Sequence, residues 1–100
     1  MIRHIVMWRV RGASDEERAE ARRTVKEEFE SLRGRIPGLQ HLEVGLDTSG
    51  IDYACDVVLV TQFESQSALD AYADHPEHLR VRSKLTGLRV TRHQVDYIAE

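Results

Sequence analysis

Ile2-Arg3-His4-Ile5-Val6-Met7-Trp8-Arg9-Val10, followed by Gly12-Ala13 and then Ser14-Asp15-Glu16-Glu17, is the stretch on which the fold turns. Ile2, His4, Val6, Trp8 and Val10 share one parity, and the run is rich in β-branched and aromatic residues suited to a pleated strand. One face of that strand is nearly all apolar, with His4 set in it. Gly12 and Ala13 break the run. Ser14 with Glu17 three residues later makes a capping box, which satisfies the free amides of a helix start. A long helix is expected from Ser14, with Asp15, Glu16 and Glu17 in its first turn and Arg33 and Arg35 in its last, an order that suits the helix dipole. Its apolar stripe, Ala21, Val25, Phe29, Leu32 and Ile36, follows the spacing of one buried face, and Pro37-Gly38 ends it.

Leu39 to Asp47 alternates Leu42, Val44 and Leu46 with His41, Glu43 and Gly45, a strand with one wet face and one dry. After the turn-rich Asp47 to Asp52, Cys55 to Phe63 carries the most apolar run, Val57-Val58-Leu59-Val60, and is expected inside the sheet, buried on both sides. Ser65 can cap a second helix through Ala68, Leu69, Tyr72 and Ala73, which Pro76 stops. Glu77 to Leu85 reads as irregular or briefly helical, and Leu88 to Ile98 as a final strand. The order βαββαβ predicts an α+β, ferredoxin-like domain over residues 1–100, with two helices on one face of a four-stranded antiparallel sheet. The other face needs a cover. A second copy of the chain is the simplest one, giving a homodimer through the open sheet face and a dimeric α/β barrel.

Composition narrows the function. The chain has 100 residues, a formal net charge of −3 and 41% hydrophobic residues. That is one core with no surplus, and a domain this small gains from a partner surface. There is no basic excess for nucleic acid, and no apolar run long enough for a membrane span or a signal-peptide core. Cys55 is the only cysteine, so no internal disulfide can form, and a cytoplasmic protein is expected.

The densest polar and aromatic cluster is Tyr72-Ala73-Asp74-His75-Pro76-Glu77-His78. Tyr72 and His75 share a helix face, and the turn at Pro76 can swing His78 back toward the sheet. A phenol and an imidazole within reach of one substrate form an acid–base pair, with His4 a third polar group on the same side. Plainer roles stand beside these. His75 can cap a helix C-terminus, His4 can be a satisfied core histidine, and Tyr72 can pack with a hydrogen-bonded tip. A ligand pocket between helices and sheet would be lined by Val6, Trp8, Phe29, Leu59 and His75 and would suit a small apolar or phenolic molecule. Pro76 spoils His75 and His78 as a helical metal pair, no haem attachment motif is present, and neither a metal nor another cofactor is expected.

Three segments, His4 to Trp8, Asp56 to Val60 with Phe63-Glu64-Ser65, and Leu69 to Tyr72 with His75-Pro76-Glu77-His78, together resemble the stress-responsive dimeric α/β-barrel (Dabb) family over nearly the whole chain. The resemblance implies the same fold, a homodimer with facing sheets, and a small, often stress-associated protein without an assigned reaction. Its plant polyketide cyclase member implies a second possibility, an aldol-type ring closure with Tyr72 and His78 as the acid–base pair and His4 in the cavity. This chain departs from that member at Val57, where the cyclase has a pocket histidine, and at Arg89, Arg92 and Gln94, where its pocket is apolar or aromatic. A third possibility, cofactor-free oxygenation, rests on fold analogy and Trp8.

Overall fold

A computed structural model describes residues 1–100. The elements run β1 (Ile2–Val10), α1 (Asp15–Glu30), β2 (Leu39–Leu46), β3 (Val57–Phe63), α2 (Gln66–Ala73), α3 (Pro76–Lys84) and β4 (Arg89–Ile98). The sheet order is β2-β3-β1-β4, with every neighbouring pair antiparallel. This is the ferredoxin-like arrangement expected from the element order, with one helix more than the two anticipated.

Local chemistry explains where the helices begin. The Ser14 hydroxyl accepts from the Glu17 N–H at 3.1 Å, and the Glu17 carboxylate reaches back to the Ala13 N–H at 2.6 Å. Where α1 ends differs from the expectation of a helix running to Ile36. After Glu30 the chain tightens, with the Leu32 N–H on the Phe29 carbonyl and the Arg33 N–H on the Glu30 carbonyl, and Gly34 then reverses it at φ 75°. Leu32 and Ile36 stay buried through these turns. Arg33 and Arg35 lie outside the last helical turn: Arg33 donates to the Leu42 carbonyl and Arg35 pairs with Glu77.

The third helix comes from Pro76. It stops α2, as expected, but its fixed φ and missing N–H also suit the first position of α3. His75 is the N-cap of that helix, its Nδ1 accepting from the Glu77 N–H at 3.1 Å, so it caps a helix start and not a helix end. Gly38 fixes α2 against the start of β2. Its φ is 78°, and an added Cβ would lie 2.6 Å from the Ala68 Cβ.

Parity sorts the sheet. His4, Val6, Trp8 and Val10 of β1 and Val57, Leu59, Thr61 and Phe63 of β3 face the helices and are buried. Ile5, Met7, Val58 and Val60 on the opposite face are only half-buried, so β1 and β3 each have one covered side in the single chain, and β3 is not buried on both sides as its apolar run predicts. The helices pack over β1, β2 and β3. Edge strand β4 is exposed along nearly all its length, including Val95 and Tyr97 on the open face. No helix is long and apolar enough to cross a membrane.

Candidate functional site

Because the helices stop short of β4, a cleft of about 310 Å³ opens on the helix side, with α2 and α3 as one wall and β1 and β4 as the other. His4, Tyr72 and His78, brought forward by the sequence from three separate elements, all line it.

Tyr72 is buried on α2, 4% exposed, and its ring lies 4.3 Å from the His78 ring between centroids. Burial pushes the phenol pKa up, against a smaller opposing pull from Arg92 and Arg89, so the hydroxyl keeps its proton across the physiological range. That hydroxyl has no hydrogen-bond partner within the chain and remains available to a ligand as a donor. His78, on the first turn of α3, donates from Nδ1 to the Ala73 carbonyl at 3.0 Å. A carbonyl can only accept, so this bond places the proton on Nδ1 and leaves Nε2 with its lone pair. Burial holds the His78 pKa below its usual 6.5. The Ala73 bond opposes this, and the charges of Arg82, Arg89 and Arg92 add to the lowering. The pair is therefore a proton donor beside a neutral base.

His4 forms the floor. Its Nδ1–H donates to Asp96 at 2.6 Å, and its ring meets those of Tyr72 and Phe63 edge-on at 6.2 and 6.4 Å. The bond to Asp96 orients the imidazole and assigns its tautomer. Asp96 continues into a polar rail along β4: Gln94 donates to Asp96 at 3.0 Å, and Arg92 donates to Gln94 at 2.5 Å. These three residues sit opposite His4, Val6 and Trp8 in the β1–β4 register, so they share the helix side.

The other pocket residues expected from sequence lie elsewhere. Val6, Trp8, Phe29 and Leu59 are packed into the core and do not line the cleft. Trp8 and Phe29 stack at 5.0 Å, and the Arg89 guanidinium covers both rings at 5.0 and 5.7 Å. Side chains of the core fill the space directly between helices and sheet, which displaces the opening toward the uncovered strand. Asp96 and Arg82 were not singled out from the sequence. The signal for Asp96 was present: Arg92, Gln94 and Asp96 alternate on one parity, which the antiparallel register with His4 turns inward.

A family model described as the stress responsive A/B barrel domain, Dabb, matches residues 2–99. No curated protein matches the chain significantly. Among solved structures, a dimeric protein of unknown function with a ferredoxin-like fold from Bacteroides fragilis is 29% identical, with a TM-score of 0.84 over 96% of this chain and 93% of its own. A Dabb family protein with a ferredoxin-like fold from Mesorhizobium loti is 25% identical, with a TM-score of 0.77 over 99% of this chain and 96% of its own. A hydroxynitrile lyase from Passiflora edulis shares the fold at 14% identity, with a TM-score of 0.79 over 99% and 93% of the two chains. With a match that runs almost end to end on a sheet of this topology, the chain belongs to the stress responsive A/B barrel domain family.

Proposed function

We propose that this chain is a homodimeric small-molecule enzyme whose helix-side cleft moves a proton on a carbonyl compound. The observation that carries the reading is the Tyr72–His78 pair, in which the Ala73 carbonyl holds the imidazole proton on Nδ1 and leaves Nε2 as the base. His78 Nε2 takes a proton from the carbon next to the carbonyl, and the Tyr72 hydroxyl donates a hydrogen bond to the carbonyl oxygen as negative charge gathers there. His4, oriented by Asp96, completes the wall. The sequence of events is that of an aldol-type or cyclase-type reaction, and proton transfer is also the kind of step a lyase on this fold would need.

The test is hydrogen–deuterium exchange at the α-carbon of a β-keto thioester, followed by NMR. Wild-type protein should accelerate it, and His78→Gln should remove about 10²–10⁴-fold of the acceleration. Exchange that is unchanged in His78→Gln would leave the cleft as a binding site without this chemistry.

The homodimer rests on a different surface. Half-buried Ile5, Met7, Val58 and Val60, with exposed Val95 and Tyr97, make the open sheet face apolar, and structural neighbours at 29% and 22% identity are dimeric. A second copy applied to that face covers it and leaves the cleft on the outer, helix side.

A further inference from the structure

We propose that the cleft selects a substrate bearing a carboxylate, held at its mouth by Arg82 and Arg92. This rests on the reading of the cleft as a small-molecule site and adds the class of molecule. Arg82 is on α3, one turn beyond His78, and Arg92 is on β4, so the two guanidinium groups approach the opening from opposite walls. Arg89 lies beneath them, half-buried over Trp8 and Phe29. None of the three has an acidic partner. Glu28 and Glu77, on α1 and α3, pair with other cations, Glu28 with Arg80 and Lys84, and Glu77 with Arg80 and Arg35. Within the cleft Asp96 accepts from His4 and Gln94, and Asp70 accepts from Gln66. Arg82 and Arg92 are thus left without an ion-pair partner in the cleft, whereas its two carboxylates, Asp70 and Asp96, are held by hydrogen bonds from other side chains.

Arg82, Arg89 and Arg92 repel one another, and the effect shows in Arg89, whose pKa is lowered by burial first and then by Arg92 and Arg82. A bound anion relieves that repulsion. The planar fork of an arginine matches a carboxylate, and the bond from Arg92 to Gln94 fixes that side chain against β4 in advance of binding. A carboxylate seated there directs the remainder of the molecule inward, toward Tyr72 and His78.

Benzoate and its neutral isostere benzamide distinguish the possibilities, titrated at constant sodium chloride into the full chain and followed by amide NMR. Benzoate should shift the resonances of Tyr72, Ala73 and His78 and bind at least ten-fold tighter than benzamide. Arg92→Gln should erase that preference, and Arg82→Gln, on a different element and equally exposed, should reduce it. If both probes shift the cleft equally, or benzoate keeps its preference in both variants, the carboxylate assignment falls while the cleft reading stands. If neither probe perturbs Tyr72 or His78, both fall.

Discussion

His78 carries opposite pressures in one side chain. The Ala73 carbonyl favours the protonated ring, while burial and three nearby arginines disfavour it, and the balance lies below 6.5. Proton exchange catalysed by the neutral imidazole should therefore persist through mildly acidic pH and fall only below 6.5, with the midpoint read from the pH-rate profile and from the His78 Cε1–H shift. Arg92→Gln removes one repelling charge and should move the midpoint upward. Folding is linked in the same direction. As pH drops through 6.5 the unfolded chain binds a proton that folded His78 still refuses, so this residue's contribution makes the protein less stable from there down to its lowered folded value. Tyr72→Phe should separate function from stability. Its hydroxyl has no internal partner to orphan, so urea denaturation should change by about 1 kcal/mol or less, while exchange falls by about 10²-fold or more.

At the scale of the elements, the α2–α3 junction decides where His78 stands. Only Asp74 and His75 separate the two helices, and the His75 cap sets the start of α3 three residues before His78. His75→Ala should cost about 1 kcal/mol in urea unfolding, and His75→Asn, which can cap in the same way, should restore most of it. Binding in the cleft should follow the same order, since a frayed first turn loosens the bond from His78 to Ala73. The sequence made β1 and β2 legible by a buried parity, β3 by its unbroken apolar run, and α1 because its capping box and stripe agree. Helix α3 was harder to see. It buries only Val81, and its proline reads as a terminator unless His75 is recognised as a cap. Tyr72, His78 and His4 could be named in advance from residue chemistry. Arg82 and Asp96 could not be placed without knowing that β4 lies beside β1 and beyond the reach of the helices.

On the scale of the whole molecule, the proposed cleft and the proposed dimer face lie on opposite sides of one sheet. A charge on the open sheet face, Val60→Asp, should shift the protein from dimer to monomer in sedimentation analysis and leave benzoate binding to the isolated fold in place; a monomeric wild type would overturn the dimer. In the core, Phe29→Ala should cost about 3–5 kcal/mol, because Phe29 is 1% exposed and stacks on Trp8, a loss a domain of this size is poorly placed to absorb. The pairing of His4 with Asp96 joins residues 92 positions apart, the first strand to the last. Contacts of that span carry a large loop-closure cost, which must be met before the contact repays it. The site is thus assembled only when β4 docks, and local detachment of this edge strand would carry Arg92, Gln94 and Asp96 away from His4 in a single step. Amide hydrogen exchange along β4 should then slow in proportion to ligand occupancy, which makes this edge strand the gauge of whether the cleft is filled.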